Sequence, residues 1–584
     1  MNEKNQIMKQ FLQKVLQDPF NHLQIKLPPE RTPDILMTEF FIPMPDGCRL
    51  RASLAHPKDG ESWPVILIRN PYVTVGHIQR TFTMPLFARY GYACIVVNVR
   101  GSEGSEGEWH PFVHETEDGQ AVIDWIAEQK WCNGKIGTFG ESYLGISQFA
   151  IADYEHEALK TCYIGVAGAT PYDIFYRRGM FRPEVWSVWA GQMMGDQRFC
   201  MFGPEENIAL LQTISDTTPA LSLGQELIGT DCDWYTSWIT NTRPADAYWT
   251  EGFWKQLSLK SRNIKRPIFL EAGWFDIFLR SQIESYRQLP ESTKKKSRFL
   301  ISPRCHNGID FSFPNADKTG MFSLISALEW FDYQLMGFSY PHKIGGIDAY
   351  SIGDNLWKEW DPDFPKTVEK KFYLSASENH PSEYTLTKEA SLTSGQLSYT
   401  FDPADPVPSC GGQLINSSRP DSPISDCSVR QPPVGERADV ISFISAPLEE
   451  PLYLAGSVSV HLFVSSSAEA TAFSVKLMEV HEDGTAWNIR DDITDIRWIN
   501  ETDIKDYTPN EIRELTISKT DVSWMISKGY RIRIDISSSN APAYHVHPNV
   551  TECWAKTKAT SAAKQTIYCG GNHASCVILP DAGK

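Results

Sequence analysis

The sequence has no run approaching the roughly 20 consecutive apolar residues that a membrane-spanning helix needs. Its first stretch, MNEKNQIMKQFLQKVLQ, lacks the apolar segment of a secretion signal. Positive charge is also in short supply, because 55 Lys and Arg stand against 72 Asp and Glu and leave a net charge of −17. Such a surface repels phosphate backbones and anionic lipid headgroups. We therefore predict a cytoplasmic protein with neither nucleic acid nor membrane as a partner.

The 12 cysteines include no CxxC pair and follow no regular spacing. This pattern disfavours a disulfide framework and a zinc site, and it predicts reduced, mostly buried thiols. The pair His545-x-His547 has a spacing that metal ligands can have, but no cysteine or acidic partner accompanies it. We therefore predict no metal site and no cofactor.

What the sequence does contain is a series of buried strands separated by helices. Continuous apolar runs of strand length occur at 64–68, 93–99, 135–140, 161–168, 267–273 and 298–303. Runs without polar alternation are typical of strands that are buried on both faces. Helical patterns such as the one at 117–130 lie between them, so the sequence predicts an α/β fold with a mostly parallel sheet.

Five segments are predicted along the 584 residues, a length that exceeds what one hydrophobic core supports. The first is an N-terminal helical arm, and the second and fourth are two parts of an α/β-hydrolase domain. Between those two parts, a stretch rich in Trp, Tyr, Met and Arg predicts a helical cap over the sheet edge that binds ligands. Alternating apolar residues then predict a C-terminal jelly-roll-like β-sandwich. The boundaries are 1–34, 35–168, 169–262, 263–345 and 346–584.

A candidate nucleophile, Ser142, lies in the segment GTFGESYLG at the end of a buried strand and before a helical run. A serine in such a glycine-flanked turn is exposed above the sheet. The second glycine stands one position later than in G-x-S-x-G, so the motif alone is only moderately specific. Asp276 and His306 each follow a later buried strand. The order Ser, Asp, His is that of α/β-hydrolases, and three strand ends on one sheet edge predict a catalytic triad.

From about residue 35 to its end, the sequence resembles the cocaine-esterase-like (CocE/NonD) serine hydrolases, relatives of X-Pro dipeptidyl-peptidases and α-amino-acid ester hydrolases. The resemblance is carried by RNPY (69–72), RGSEGSEG (100–107), GESYLG (140–145), GWFD (273–276), FDPADPVPSCGG and RIRIDISSSN. It implies Ser142 as nucleophile, His306 as general base and then acid, and Asp276 as its orienting carboxylate. It further implies an oxyanion hole made by the Tyr72 hydroxyl and the Tyr143 backbone N–H, and a homodimer.

One departure from the family pattern suggests a substrate contact. Where relatives usually carry a tryptophan two residues before the histidine, this chain has Arg304. We hypothesise that its guanidinium faces the substrate and pairs with a carboxylate or phenolate, because guanidinium favours bidentate anions. An exposed or salt-bridged arginine is the competing interpretation.

Further candidate substrate contacts are Trp186 and Trp189 in the cap, Trp274 and Phe275 beside Asp276, and Asp173. Packing within the cap is an equally good explanation for the two cap tryptophans. Asp173 is followed by Arg177 and Arg178, so the acidic cluster that amine-selecting relatives use for a substrate ammonium group is missing. This disfavours an aminopeptidase.

The sequence thus predicts a metal-independent serine hydrolase that cleaves a small-molecule carboxylic ester through an acyl-enzyme on Ser142. Amide and lactone bonds stay open as targets. Acyl transfer by the same triad and an X-Pro or α-amino-acid-type activity are alternatives. A non-catalytic binding protein on a hydrolase scaffold is the alternative from another class.

Overall fold

The computed structural model describes residues 28–194, 204–306, 323–361, 363–376, 384–415, 426–518 and 521–583. The amphipathic helix predicted within the N-terminal arm falls on residues 1–27 and lies outside these ranges. Among the helices in the described ranges, none combines the length and apolar character that crossing a bilayer requires.

A ten-stranded mixed sheet forms the centre of the N-terminal half. The strands of this half are β1 (Ile35–Pro43), β2 (Arg49–Pro57), β3 (Trp63–Asn70), β4 (Ala93–Asn98), β5 (Cys132–Glu141), β6 (Leu159–Gly165), β7 (Tyr176–Arg177), β8 (Met180–Phe181), β9 (Ile268–Phe275), β10 (Arg298–Cys305), β11 (Ile347–Ser351) and β12 (Leu356–Trp360). The sheet order is β1-β2-β4-β3-β5-β6-β9-β10-β11-β12, and β7 and β8 form a separate hairpin.

Neighbouring strands from β4 to β11 in this order pair in parallel, whereas β1, β2 and β12 pair antiparallel. Every residue of β3, β4 and β9 is buried, which explains their apolar runs without alternation. The predicted α/β fold is confirmed.

Strands β11 and β12 lie beyond the predicted boundary at 345 but pair within the first sheet. Strand β11 pairs in parallel with β10, and β12 pairs with β11, so the first sheet continues to Trp360. Alternation within a short strand shows that one of its faces is exposed, but it does not show which sheet the strand joins.

Helices surround this sheet and build the cap. They are α1 (Val73–Ile78), α2 (Met84–Arg89), α3 (Glu115–Ala127), α4 (Tyr143–Phe149), α5 (Pro171–Phe175), α6 (Pro183–Met193), α7 (Pro204–Asp216), α8 (Leu223–Ile228), α9 (Asp233–Thr240), α10 (Ala247–Thr250), α11 (Gly252–Asn263), α12 (Leu279–Arg287), α13 (Glu291–Lys294) and α14 (Ser323–Phe331). Short π-helical segments cover Gln79–Thr83 and Asp332–Met336, and a 3₁₀ turn covers Ala220–Ser222. Helices α5 to α11, with the hairpin β7–β8, lie between β6 and β9, in the predicted cap segment.

The C-terminal domain is all-β. Its strands are β13 (Val368–Ala376), β14 (Tyr384–Thr387), β15 (Gly395–Phe401), β16 (Ile441–Ser445), β17 (Leu452–Gly456), β18 (Ser459–Ser466), β19 (Ala472–Val480), β20 (Ala486–Asp495), β21 (Arg513–Ser518), β22 (Val522–Ile526), β23 (Arg531–Ser537), β24 (Ala563–Cys569) and β25 (Cys576–Asp581). The alternating apolar residues of β23, Ile532, Ile534 and Ile536, are fully buried. The predicted period of two is therefore confirmed on this strand.

Buried ion pairs join the cap to the C-terminal domain. The guanidinium of Arg178 lies 2.8 Å from a carboxylate oxygen of Asp492, and both side chains are almost completely buried. Glu501 pairs with Arg178 and also with Arg280 of α12. Because unpaired charges at such depth are costly, these contacts fix the C-terminal domain against the cap and the first domain.

Candidate active site

Ser142 occupies a strained turn between β5 and α4. Its φ of 59° and ψ of −124° lie outside the regions that non-glycine residues favour. A Cβ atom at Gly140 would lie 2.5 Å from Cβ of Leu144, and one at Gly145 would lie 2.5 Å from Cβ of Ala167. Both glycines are therefore required by close packing. Gly145 stands one position later than the second glycine of G-x-S-x-G because α4 approaches Ala167 at this point.

The three side chains predicted as a triad form one hydrogen-bonded chain. Nε2 of His306 lies 3.0 Å from Oγ of Ser142, and Nδ1 lies 2.5 Å from Oδ2 of Asp276. Asp276 is completely buried, and its other oxygen accepts the N–H of Phe278 at 2.7 Å. Strands β9 and β10 are parallel neighbours, so the residues after their carboxyl ends meet above the same sheet edge as Ser142.

Two further donors lie beside the Ser142 hydroxyl. The Tyr72 hydroxyl accepts a hydrogen bond from Nε1 of Trp189 at 3.0 Å and interacts with Ser142. Burial raises the pKa of Tyr72 to about 12 even though these hydrogen bonds oppose the shift, so the phenol keeps its proton at neutral pH. The backbone N–H of Tyr143 is the first of α4 and has no acceptor within that helix.

The RNPY segment positions Tyr72 through its two preceding polar residues. The Asn70 side chain accepts the Tyr72 N–H at 3.2 Å and donates to the Tyr72 carbonyl. Arg69 forms a buried 2.6 Å ion pair with Glu115 at the start of α3. Glu115 also accepts the hydroxyl of Tyr143 at 2.9 Å. One buried network therefore supports both candidate oxyanion donors.

Aromatic rings surround the Ser142–His306 pair. The ring of Trp189 stacks on Phe112, with centroids 6.1 Å apart, and on Tyr143 at 6.3 Å. The ring of Phe278 lies 5.5 Å from the His306 imidazole. Reacting groups bound here would meet an apolar environment, which strengthens the few hydrogen bonds the site provides.

Arg304 is not a substrate contact. Its guanidinium is buried and lies 2.8 Å from Glu271 and 3.3 Å from Glu141, and it also donates to the His306 carbonyl at 3.2 Å. Burial lowers the pKa of Arg304, but the two glutamates outweigh that effect and raise it above its ordinary value. The salt-bridged interpretation holds because Glu271, in the middle of a buried strand, needs a cation.

Trp274 and Phe275 also do not face the site. Both are about 1% exposed. Nε1 of Trp274 donates to the Tyr350 carbonyl at 2.6 Å, and the Arg490 guanidinium covers the ring of Phe275 at 5.2 Å. The end of β9 is enclosed by β11 and the C-terminal domain, so closeness to Asp276 in sequence gives no closeness to substrate.

Of the candidate substrate contacts in the cap, one lies at the site and two do not contact the reacting groups. Trp189 lies at the site through its contact with Tyr72. Trp186 is cap core, 3% exposed and bonded to the Ile174 carbonyl at 2.7 Å. Asp173 lies 3.6 Å from Arg280, so its charge is compensated within the protein, and the structure gives it no contact with the reacting groups.

The residue through which the C-terminal domain supports the site, Gln413, was not identified from the sequence. Nε2 of Gln413 donates to the Asp276 carbonyl at 2.6 Å. Arg182 of the cap donates to the Ile277 carbonyl at 2.7 Å and to the Gln413 carbonyl at 3.0 Å. Gln413 directly follows FDPADPVPSCGG, so that segment of the resemblance was the one signal available for it.

Comparison with known proteins agrees with this geometry. A family model for X-Pro dipeptidyl-peptidases (S15 family) matches residues 46–308, and a model for the non-catalytic C-terminal domain of X-Pro dipeptidyl-peptidases matches residues 333–578. Cocaine esterase of Rhodococcus sp. (strain MB1 Bresler) is 30% identical, over 92% of this chain and 97% of its own length.

Two solved structures share the whole architecture. An aminopeptidase from a marine sediment Thaumarchaeota archaeon superposes with a TM-score of 0.78 at 21% identity, and an α-amino acid ester hydrolase superposes with a TM-score of 0.77 at 22% identity. Each match covers 95% of this chain and 98% of the other. At these identities the likeness concerns the fold.

The buried pairing of Arg304 makes a stability prediction. Replacing Arg304→Met leaves the Glu271 carboxylate buried without its cation, and we expect a loss of about 3–5 kcal/mol in the free energy of unfolding, measured by urea denaturation. In the double variant with Glu271→Gln, the loss should be smaller than the sum of the two single losses. A stable Arg304→Met protein with an altered preference between anionic and neutral esters would restore the substrate-contact hypothesis.

Proposed function

The chain belongs to the X-Pro dipeptidyl-peptidase (S15) family and is a serine hydrolase that acts on esters, and we propose that Ser142, His306 and Asp276 carry its reaction. The observation that supports these roles is the hydrogen-bonded chain from the Ser142 hydroxyl through the imidazole to the buried Asp276 carboxylate. Such a chain lets a weakly nucleophilic alcohol attack a carbonyl.

In the first half of the reaction, Oγ of Ser142 attacks the ester carbonyl while Nε2 of His306 takes its proton. Asp276 accepts a hydrogen bond from the Nδ1–H group of His306. This bond leaves the Nε2 lone pair facing the serine, and the carboxylate stabilises the imidazolium that forms. His306 then gives the proton to the departing alkoxide, and the acyl group remains on Ser142 as an ester.

Negative charge on the carbonyl oxygen is stabilised by the Tyr72 hydroxyl and the Tyr143 N–H. The Trp189 N–H occupies an acceptor position of the phenol oxygen, so the phenol's own hydrogen stays available for the developing oxyanion. A phenol with a pKa of about 12 remains protonated at neutral pH and can donate throughout turnover.

In the second half, a water molecule loses a proton to His306, attacks the acyl group, and Ser142 is regenerated. An alcohol or amine in place of water would complete an acyl transfer through the same groups. We propose hydrolysis, because a relative matched over 92% of this chain and 97% of its own length is named an esterase.

The surroundings of the triad favour a particular acyl group. The rings of Trp189 and Phe278 present apolar surface beside the reacting groups, through their contacts with Tyr72 and His306. The Glu141 carboxylate, next to Ser142 in sequence, is paired with Arg304, and the Asp173 carboxylate of the cap is paired with Arg280, so an ammonium group on the substrate would gain little on entering. We therefore propose esters with an uncharged, apolar or aromatic acyl group, and this weighs against X-Pro dipeptides and α-amino-acid esters.

The nucleophile is tested by covalent labelling. We expect the native chain to react with a fluorophosphonate probe, and Ser142→Ala to lose that labelling together with at least about 10⁴-fold of its ester turnover. Ser147→Ala, five residues further on in α4, is the control and should keep the label. A native protein that is not labelled would favour the non-catalytic binding protein.

The oxyanion donor is tested by removing one oxygen atom. Tyr72→Phe should lower kcat by about 10²–10³ with little change in KM, because the lost hydrogen bond forms fully only in the transition state. Tyr399→Phe removes another buried hydroxyl, one that bonds Ser538 in the C-terminal domain, and should leave kcat unchanged. Equal effects of the two substitutions would assign Tyr72 a structural role only.

The acyl preference is tested with a matched pair of esters. The 4-nitrophenyl esters of phenylacetic acid and of phenylglycine differ only by an α-ammonium group. We expect kcat/KM for the neutral ester to be higher by at least about 10-fold at a pH where the amine is charged, because burying an unpaired ammonium group is costly. A preference for the phenylglycine ester would contradict the proposed acyl group while leaving the triad intact.

A further inference from the structure

A second cluster of reactive side chains lies where the first domain meets the C-terminal domain. It consists of Cys305, Asp426 and Cys427, whose sulfur and carboxylate atoms lie within 4.8 Å of one another. Cys305 ends β10 and directly precedes His306, whereas the other two belong to the C-terminal domain. We refer to these three residues as the interdomain thiol cluster.

Regular backbone contacts hold the cluster in place. Cys427 exchanges two backbone hydrogen bonds with Gly412, of 2.7 and 2.9 Å, and its carbonyl accepts the Asn488 amide at 2.9 Å. Cys305 lies in register with Phe275 of the neighbouring strand. Ligand groups on such fixed backbone lose little freedom when they bind an ion.

The atoms present match the preferences of a thiophilic divalent cation. Thiolate sulfur selects Zn²⁺ over Mg²⁺ and Ca²⁺, and a carboxylate oxygen is a common further ligand of zinc. With Zn–S bonds near 2.3 Å, a tetrahedral site needs its sulfurs ~3.8 Å apart, so the cluster would contract by about 1 Å at most. A disulfide would need them at about 2.05 Å and would leave Asp426 unused.

The burial of the cluster leaves one side of it open to an ion. Both cysteines are buried and Asp426 is partly exposed, so an ion would enter from the Asp426 side and keep water as its fourth ligand.

We propose that the interdomain thiol cluster is a binding site for a thiophilic divalent cation of the Zn²⁺ type. Binding converts both thiols to thiolates and releases their protons to solvent. The ion would then connect the residue before His306 to the C-terminal domain by metal–ligand bonds. The ester hydrolysis derived above does not require it.

The first experiment uses Cd²⁺ as a spectroscopic probe on the reduced, metal-free full chain. We expect one equivalent of Cd²⁺ to produce the ultraviolet thiolate-to-metal charge-transfer band. Cys427→Ser should abolish the band, Asp426→Asn should weaken binding by about 10-fold or more, and Cys94→Ser, a buried thiol in β4, should leave it unchanged. Absence of the band, or a band that survives in Cys427→Ser, would overturn the proposal.

A second measurement needs no substitution and so avoids folding defects. The native chain is alkylated under partly denaturing conditions with and without Zn²⁺, and each cysteine is followed by mass spectrometry. Zn²⁺ should protect Cys305 and Cys427 selectively against alkylation. The metal site would be overturned if Zn²⁺ protected all cysteines equally or protected none. It would also be overturned if the chain bound no Zn²⁺ and oxidant joined Cys305 to Cys427 in a disulfide.

Discussion

The hydrogen bond between His306 and the buried Asp276 is the interaction on which the rest of the site depends. With the Nδ1 hydrogen held by the carboxylate, Nε2 is left as the proton acceptor facing Ser142. That arrangement requires the ends of β9 and β10 to be adjacent, which the parallel register of the two strands provides. It also requires the Asp276 loop to stay in place, which Gln413 and Arg182 ensure through its backbone carbonyls.

The site rests on buried ion pairs whose main contribution is geometric. Glu115 with Arg69 and Glu271 with Arg304 lie at 2.6 and 2.8 Å with almost no solvent exposure. The cost of desolvating such charges offsets most of their attraction, so they add little net stability, but separating one partner is strongly destabilising. Because each buried charge must stay beside its partners, the pairs also fix the groups that these side chains bind. Arg304 donates to the carbonyl of His306, and Glu115 accepts a hydrogen bond from the hydroxyl of Tyr143.

The sequence predicted the fold class and the order of the triad because both depend on local patterns. Buried strands are recognisable as apolar runs, and residues that follow parallel strands lie at the same edge of the sheet. It failed for Trp274 and Phe275, since both faces of a central strand are protein interior and closeness to Asp276 in sequence does not choose between interior and pocket. For Arg304 it left a substrate contact and a salt bridge as alternatives, because the sequence does not show which buried carboxylates lie nearby. The sheet that β11 joins could not be predicted, because strand pairing is a long-range property. Gln413 was missed for the same reason, as 137 residues separate it from its acceptor.

Three parts of the chain meet at one centre, and this couples substrate choice to chemistry. The ring of Trp189 forms part of the apolar surface beside the triad, and its N–H donates a hydrogen bond to the Tyr72 hydroxyl. A substrate group that displaces its ring would also change the hydrogen bonding of the phenol that we propose stabilises the oxyanion. Selectivity for the acyl group should therefore be expressed in the rate of the chemical step as well as in binding, because remote contacts raise kcat when they improve transition-state interactions. With these proposed roles the cap takes part in catalysis, because its Trp189 side chain bonds the hydroxyl of the proposed oxyanion donor.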